Sequence, residues 1–564
     1  MNSPPVEDAI ERNGRIVALV LVVVGFALRA RGLSEYWLNA DEGIYYSTLT
    51  WSSFGAFWSE VLANAHPPGF YLLLRTLGYV TWDFVWLRAA SAIFGAAAIW
   101  IFWLVGRELG GGGRRGVATG LATATLVALN PNAIVLSQVI RPYALLVLLL
   151  STALLCLLRY RAKPERTTLV AYSLISTLGV ASHYSAALAL AAFSALIGVD
   201  LLGRRFKGRE ASELIAAHAV PCLVFAGLYL LHGRGALGSD LMQSAIRPGG
   251  WLSGWLVDSP LHAWHNFVAY QDFNLPSSFR ASAAILWLIA IGWAFTVREP
   301  AIAVLSSVAI GVAVGASALE VYPFGEGRHN AWLSVFTIPA LGWLLGRLAT
   351  ATRPQAWMGA AMLVGLLGGA GPLERLVGPP DRPSTAVESS ATGDRTVDRS
   401  ETAPLEERLI RRADIAPLIL ETLDPEEGPP VILMTEQTFN VLMPLYPREK
   451  GGLVFSQDST FMHFPYGDRE IVVARTWDWA SVADLVSRLG RVAAHLPEGR
   501  WDGVSPVVVL AGGWGSEILP MFTRFAQDEV ASHIFVAPGF DPDGTVLVRL
   551  ASAVIDPVAL SALR

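Results

Sequence analysis

The sequence predicts a polytopic α-helical membrane protein with about eleven spans, followed by a soluble C-terminal α/β domain. First, 53% of the 564 residues are apolar and only 16% are charged, and the mean hydropathy is +0.44, far from the values of a soluble domain. Second, apolar runs long enough to cross a bilayer recur between residues 15 and 373. Third, strand-like runs separated by helical patterns begin only after residue 409.

The predicted spans are apolar runs bounded by polar residues. They fall at 15–33, 84–106, 116–136, 142–159, 167–183, 184–202, 212–232, 281–297, 300–318, 329–349 and 355–373. No small-residue cleavage site follows the first run, which favours a retained span over a removed signal peptide. The segment 67–81 carries Arg75 in its middle and precedes Trp82, so we expect a helix lying in the outer interface and not a span.

The basic loops agree with this assignment. With a cytoplasmic N-terminus, the cytoplasmic loops are short and basic throughout: 107–115, 159–166, 203–210, 297–300 and 346–354. Counting 67–81 as a span would place all of them outside. The same assignment gathers the unusual polar residues on the non-cytoplasmic side: Asp41, Glu42, His66, Arg141, His183 and the loops 233–280 and 319–328.

Three regions follow along the chain: a membrane domain at 1–375, a polar linker at 376–408 and a domain at 409–564. The last region has strand-like runs at 431–434, 453–455, 471–474, 507–511 and 546–550, with helical patterns at 436–446, 479–494 and 515–526. This alternation predicts an α/β sandwich. An odd number of spans places that domain outside the cytoplasm.

Composition also argues against several classes of function. The formal net charge of -5 and the scattered basic residues give no sign of nucleic-acid binding. Cys156 and Cys222 lie inside apolar runs, which argues against a disulfide framework or a cysteine metal site. The segment LAGGWGSE at 510–517 lacks both the GxGxxG pattern and a P-loop lysine, so nucleotide binding is not expected.

The adjacent carboxylates Asp41 and Glu42 are the first candidates for chemistry. One interpretation is a capping pair at a helix that begins near Gly43. The other is functional, because acids kept beside a membrane usually face water or a cavity and have a task. A carboxylate near a lipid-borne substrate is placed to act as general base on an acceptor hydroxyl. A second polar element in the same loop, His66-Pro67-Pro68, favours the functional interpretation.

The role of His66 is open to three interpretations. It is a metal ligand, a hydrogen-bond partner of a substrate, or a residue at the start of a helix beside two prolines. A metal site would need further ligands, for which His183 and Glu42 are the candidates. A divalent metal is therefore optional, and no other cofactor is predicted.

Two arginines are candidates for binding a phosphate. Arg141 precedes a predicted span, where it either snorkels to lipid headgroups or contacts a phosphate. Arg328 follows the rigid turn that starts at Tyr322 and opens the next span, and its planar fork of donors suits a lipid phosphate. His183 and Tyr184 either cap a tight hairpin or line a cavity.

These elements together resemble a known family, the bacterial membrane glycosyltransferases of the C-type fold, which are related to protein O-mannosyltransferases and lipid A aminoarabinose transferases. The resemblance covers about residues 15–350. It is carried by Asp41-Glu42, HPPGFYLLL at 66–74, RPY at 141–143, SHYSAAL at 182–188 and YPFGEGR at 322–328.

The resemblance implies inverting transfer of a hexosyl or pentosyl group from a polyprenyl-phosphate donor to a glycan, lipid or protein acceptor. By similarity, Asp41 is the general base, Glu42 supports it, His66 lies near the donor and Arg328 holds the lipid phosphate. Arg141, His183, Tyr184 and Tyr322 are the further expected substrate contacts. The implied location is the bacterial inner membrane, with the reaction on its outer face and in contact with membrane lipid.

Two other classes fit the same sequence. Many spans with arginines at membrane depth also suit a transporter or lipid flippase, although such proteins commonly carry inverted repeats and polar sites at the membrane midplane. A non-catalytic assembly partner with a polymer-binding outer domain is the third interpretation. Loss of function in a folded Asp41 variant separates an enzyme from that scaffold.

Overall fold

The computed structural model describes residues 4–34, 38, 40–50, 53–237, 264, 266–268, 270–271, 280–319, 321–325 and 328–351, with seven strands between 431 and 550. Helices make up the first part. In chain order they are α1 (Pro4–Ala30), α2 (Ala40–Ser47), α3 (Phe54–Ala63), α4 (Pro68–Gly78), α5 (Phe84–Gly110), α6 (Gly113–Ala128), α7 (Pro131–Leu136), α8 (Tyr143–Ala162), α9 (Arg166–Ser182), α10 (Ala186–Leu202), α11 (Arg209–Leu228), α12 (Arg234–Leu237), α13 (Arg280–Thr296), α14 (Pro300–Ala318) and α15 (Ser334–Ala349). A π-helical turn, Tyr229–Gly233, follows α11, and a 3₁₀ helix, Arg328–Leu333, precedes α15.

The predicted spans up to residue 349 each overlap helical residues, but the run at 116–136 is divided between α6 and α7, because Asn130 caps a new helix that begins at Pro131. The run at 355–373 lies outside the described residues. Within the described part, six helical stretches are long and apolar enough to cross a membrane: Glu7–Ala30, Phe84–Gly110, Tyr143–Ala162, Arg209–Gly233, Pro300–Ala318 and Arg328–Ala349. The helices α6, α9, α10 and α13 have only 16 or 17 residues, fewer than the ~20 that a bilayer core requires. The total of eleven spans therefore stays a prediction.

The segment predicted as an interfacial helix forms α4, which has 11 residues and ends at Gly78. Its side chains Phe70, Tyr71 and Leu74 are buried. At 1.5 Å per residue this helix covers roughly half of a bilayer core, so it is too short to be a span.

Small residues allow the central helices to approach closely. A Cβ atom added at Gly342 of α15 would lie 2.0 Å from Thr123 Oγ1 of α6, and one at Gly346 would lie 2.2 Å from Thr119 Oγ1. Small residues at these positions let two membrane helices pack backbone against backbone. Arg29, fully buried near the end of α1, donates hydrogen bonds to Val127 O and Ala128 O at the carboxyl end of α6. Its cation thereby satisfies terminal carbonyls of α6.

Ion pairs gather the basic loops at one end of the bundle, called the basic end below. Arg107 of α5 contacts Glu11 of α1 at 2.9 Å, and Arg347 of α15 contacts Glu299 at 3.1 Å. Buried Arg161 forms two hydrogen bonds with Asp200, at 2.5 and 2.9 Å. The common end of these loops is the arrangement that a single cytoplasmic face requires.

The strands of the C-terminal part form one mixed seven-stranded sheet, with order β2-β3-β4-β1-β5-β7-β6. Its strands are β1 (Val431–Thr435), β2 (Val454–Phe455), β3 (Phe461–Tyr466), β4 (Arg469–Ala474), β5 (Val507–Ala511), β6 (Ala531–Ala537) and β7 (Thr545–Leu550). The central strand β1 pairs in parallel with β4 and β5, and the outer pairs are antiparallel.

Four of the five predicted strand runs fall within strands of this sheet, and the run at 453–455 overlaps β2, whereas the sequence patterns do not predict β3 and β6. Pro465 within β3 weakens the strand signal, because proline cannot donate to a sheet ladder. The predicted helices at 436–446, 479–494 and 515–526 lie outside the described residues. The α/β layering of this region therefore remains a prediction.

The chain forms two compact units. One comprises Met1–Arg31, Ser59–Leu77 and Trp86–Thr402. The other comprises Gly32–Trp58, Gly78–Val85 and Ala403–Arg564. The predicted linker at 376–408 lies outside the described residues.

Candidate functional site

A pair of histidines forms the centre of the candidate site. His66 lies between α3 and α4, His183 lies in the turn between α9 and α10, and their ring centroids are 4.9 Å apart. Gly69 explains why these segments meet, because a Cβ atom at this position would lie 2.5 Å from the carbonyl oxygen of Ala181. The start of α4 thus packs directly against the backbone at the end of α9.

The local hydrogen bonds of His183 fix its tautomer. Nδ1 accepts the backbone N–H of Ser185 at 3.1 Å and lies 2.8 Å from Ser185 Oγ. Since a backbone N–H can only donate, Nδ1 is the acceptor and the neutral ring carries its proton on Nε2. His183 is buried, and Nε2 has no hydrogen-bond partner among the described residues. The turn therefore presents a buried N–H donor.

Two arginines and a third histidine complete what we call the cationic cluster: His66, Arg141, His183, Arg328 and His329. Arg141 is buried, with its guanidinium carbon 5.6 Å from the centroid of the Tyr143 ring. The Tyr143 ring in turn lies 5.2 Å from the ring of His183. The other four members of the cluster all act electrostatically on His66.

The cluster strongly disfavours a proton on His66. The pKa of His66 is lowered well below 6.5, first by burial and then by electrostatic interactions with His183, Arg141, His329 and Arg328. His66 is therefore neutral at physiological pH and presents one donor and one acceptor.

Helix geometry adds to the positive potential. Four helices begin at the cluster: α4 after His66, α8 after Arg141, α10 after the His183 turn, and the 3₁₀ helix at Arg328. The amino end of a helix carries a partial positive charge and exposed N–H groups. Converging amino ends and arginines make this part of the bundle suited to an anion.

Tyr322 packs against the cationic cluster. Its hydroxyl donates to the carbonyl of His329 at 2.9 Å, and its ring lies 6.3 Å from the His329 ring. Burial raises the pKa of Tyr322, and Tyr143 and Ser185 are its other electrostatic neighbours. Tyr322 thus stays protonated beside the cluster.

Tyr184, which the sequence predicts to contact the substrate, contacts residues outside the cationic cluster. Its hydroxyl lies 2.6 Å from Nδ1 of His232, and its ring meets the edge of Phe225 at 6.3 Å. The structure thus turns Tyr184 toward α11 and the π-helical turn, while its neighbour His183 faces the cluster.

Asp41 and Glu42 lie in the first turn of α2. Glu42 is completely buried and Asp41 is half-buried. The helix begins at Ala40, three residues before the predicted start. Both acids therefore complement the helix dipole, as the capping interpretation expects. The functional interpretation, in which the carboxylates face water or a cavity, stays a prediction.

Sequence reasoning did not select Tyr143, Ser185 or His329 as site residues. Tyr143 is the aromatic residue of the RPY segment, and its buried hydroxyl has no hydrogen-bond partner among the described residues. Ser185 could have been found from its position two residues after a histidine at a helix start, where serine bonds locally. His329 directly follows Arg328. The sequence does not show that its side chain lies near His66, because this depends on the 3₁₀ helix at Arg328–Leu333.

Tyr143 also lines a small cavity inside the bundle, together with Arg29, Phe102, Leu136, Val147 and Ile338 among others. Its volume is about 30 Å³. That is enough for one or two water molecules but not for an isoprenyl chain.

A protein metal site needs several ligand side chains that converge on one point. Within the described part of the chain, no three histidine, cysteine or carboxylate side chains come together in a way that could hold a metal ion. The optional divalent metal therefore stays a prediction.

Comparison with known proteins gives a fold-level match. No protein-family model matches the chain, and no curated protein matches its sequence. Among solved structures, apo ArnT from Cupriavidus metallidurans is similar with a TM-score of 0.50 and 15% identity, over 96% of this chain and 98% of that one. The same protein bound to undecaprenyl phosphate gives a TM-score of 0.49 at 14% identity, over 96% and 99% of the two chains. An oligosaccharyltransferase from Archaeoglobus fulgidus gives 0.38 at 12% identity, over 63% and 55%.

The match to apo ArnT spans nearly the whole of both chains, including the region after the helical bundle. It agrees with the resemblance carried by the five sequence motifs. The protein is therefore a multi-pass membrane protein with the C-type glycosyltransferase fold.

Proposed function

We propose that the protein transfers a sugar or sugar-like group from a polyprenyl-phosphate donor to an acceptor on the outer face of the membrane, with inversion. The observation that carries this proposal is the cationic cluster at the ends of membrane helices. Because a fold alone does not imply a function, the chemistry of these side chains is the main support.

The cluster suits a phosphate group. Arg141 and Arg328 offer planar forks of donors that match phosphate oxygens, and their hydrogen bonds to an anion are strong in a buried site. His183 adds its Nε2–H, and Tyr143 adds its hydroxyl. A phosphate carried on a lipid can bind at the ends of membrane helices while its prenyl chain stays in the membrane.

The proposed reaction is a single displacement. The acceptor oxygen attacks the anomeric carbon of the sugar, and the bond from this carbon to the phosphate oxygen breaks. The electron pair leaves with the lipid phosphate, whose charge the arginines stabilise. Asp41 takes the acceptor proton and Glu42 supports it, by similarity to the first-loop motif of the family. The sugar is a hexosyl or pentosyl group.

The location of the cluster residues favours an enzyme over a transporter. Arg141, His183 and Arg328 all lie where helices begin, at the ends of the bundle segments. Alternating-access transporters place substrate sites near the midplane, commonly at broken helices. The position of the cluster residues at helix starts supports an enzyme with its site at one end of the bundle.

The direct test combines binding and transfer. Purified protein is expected to bind a polyprenyl phosphate in native mass spectrometry and to transfer a labelled sugar from its polyprenyl-phosphate conjugate. Arg328→Lys should lower kcat/KM by about tenfold or more, because a point charge does not replace two parallel hydrogen bonds.

Arg347→Lys is the matched control, because Arg347 pairs with Glu299 at the basic end. This variant should retain the activity of the wild-type protein. Failure of the wild-type protein to bind a polyprenyl phosphate, or full activity of Arg328→Lys, would refute the proposed phosphate site.

A further inference from the structure

A second histidine centre lies beside the cationic cluster, at the π-helical turn after α11. His232 is only 5% exposed. Its Nδ1 lies 2.6 Å from the Tyr184 hydroxyl, and its Nε2 lies 2.8 Å from the carbonyl oxygen of Asn64. One imidazole thus bridges two segments that are far apart in sequence.

The chemistry of the two partners shows which atom donates in each hydrogen bond of His232. A carbonyl oxygen can only accept, so Nε2 of His232 carries a proton and donates it to Asn64. Nδ1 of the neutral ring then accepts the hydroxyl proton of Tyr184. The competing acceptor for that proton, Leu228 O, is farther away at 3.3 Å. The relay runs from Tyr184 through His232 to Asn64.

Both ends of the relay adjoin the cluster. Asn64 lies two residues before His66, and Tyr184 directly follows His183. The same two segments touch again where Gly69 meets Ala181. His66 and His183 therefore lie between two ties, one of which depends on a single side chain.

The turn itself is built to carry this side chain. A π-helical turn is rare and often marks a functional position. Its last residue is Gly233, where a Cβ atom would lie 3.1 Å from Cζ and from the hydroxyl oxygen of Tyr184. Glycine thus lets the turn pack directly on Tyr184 and brings His232 within reach of it.

We propose that His232 is a positioning residue of the donor site, which holds the His66 segment against the His183 turn through Tyr184 and Asn64. This inference rests on the proposed function for its consequence, the strength of phosphate binding. The positioning itself is a structural property and does not depend on that function.

The experiment uses two measurements on the full-length protein. One is the dissociation constant for a polyprenyl phosphate. The other is the rate at which diethyl pyrocarbonate modifies His66, followed by peptide mass spectrometry. The variants are His232→Phe, which keeps a ring but removes both nitrogens, His232→Gln, which keeps a donor and an acceptor, and Tyr184→Phe.

His218, on the preceding helix α11, provides a matched control. Its Nδ1 lies 2.6 Å from the Tyr172 hydroxyl, and its Nε2 lies 2.7 Å from Ser194 Oγ. His218→Phe therefore breaks an equivalent histidine–tyrosine bridge that has no contact with the His66 segment among the described residues.

His232→Phe and Tyr184→Phe should each weaken phosphate binding by about tenfold and speed modification of His66 several-fold, as loss of a buried hydrogen bond predicts. The double variant should be no worse than either single variant, because both changes break one relay. His232→Gln should recover most of the binding.

Two results would overturn the proposal: unchanged modification of His66 in His232→Phe, or equal changes in His218→Phe. The Tyr184→Phe and His232→Gln variants keep the test valid if His232→Phe fails to fold. If the wild-type protein binds no polyprenyl phosphate, the proposed function fails, and modification of His66 still decides whether His232 positions it.

Discussion

At the scale of single residues, the cationic cluster combines charged arginines with neutral histidines that present hydrogen-bond donors. Arg141 and Arg328 supply permanent charge, whereas the hydrogen bond from Ser185 fixes the tautomer of His183 and its Nε2–H. Burial and the neighbouring cations keep His66 neutral. A cluster of this kind has donors in place before an anion arrives, which reduces the reorganisation that binding requires.

The first residue-scale prediction concerns the general base. Asp41→Asn keeps the shape of the side chain but removes its basicity, so kcat should fall by about a hundredfold or more. Binding of the donor lipid should persist, and Glu42→Gln should be milder if Glu42 only supports. Steady-state transfer kinetics with a parallel donor-binding measurement check this. Near-normal transfer, or loss of donor binding alone, would show that Asp41 is a cap or a donor contact.

The second residue-scale prediction concerns pH. Because the pKa of His66 is lowered in the folded protein, the unfolded chain binds one more proton below its ordinary pKa of about 6.5. Stability should therefore fall as pH drops from 6.5, by up to about 1.4 kcal/mol per pH unit from this group. Thermal unfolding in detergent between pH 5 and 8 measures this slope. His66→Gln should reduce the slope, and an identical slope in this variant would contradict the assignment.

At the scale of elements, close backbone contacts decide which loops meet. The contact of Gly69 in α4 with Ala181 at the end of α9 brings His66 to His183, and the relay through His232 forms the second tie. In sequence, these segments are separated by more than a hundred residues. Helix packing thus brings together the His66 segment and the His183 turn, neither of which forms the candidate site alone.

The element-scale prediction follows from that contact. In Gly69→Ala the new Cβ atom would lie 2.5 Å from a backbone oxygen, so α4 must shift. We expect a loss of about 1–3 kcal/mol in stability and weaker phosphate binding. Gly198→Ala in α10 is the control, because no atom lies within 4 Å of its added Cβ. Equal melting temperatures of the two variants would mean that the contact at Gly69 does not constrain α4.

At the scale of the whole molecule, two ends of the bundle differ in charge chemistry. Paired arginines such as Arg107 and Arg347 mark the basic end. The residues of the cationic cluster lie at helix starts. Counted from the N-terminus, an odd number of predicted membrane spans precedes each of them. We propose on this basis that the cluster and the C-terminal domain face outward from a bacterial inner membrane, while the basic end faces the cytoplasm.

The whole-molecule prediction concerns this topology. A cysteine at Gly112, in the loop between α5 and α6, should be shielded from an impermeant thiol reagent in intact cells. A cysteine at Ser390, which lies outside the described residues, should be labelled. Permeabilised cells supply the positive control for Gly112→Cys. Labelling of Gly112→Cys but not Ser390→Cys in intact cells would reverse the proposed orientation.

The sequence by itself determined the helical membrane class, the positions of the long apolar helices up to residue 349 and the sheet strands with the clearest apolar runs, and it singled out four residues that the structure brings together in the cluster. These depend on local composition and periodicity, which a chain carries at every position. Only the tertiary structure decided that His183 donates through Nε2, that Tyr184 turns toward His232, and that His329 and Tyr143 join the site. Such directions depend on which helix ends meet, and helix packing is a contact between distant segments that no local pattern records.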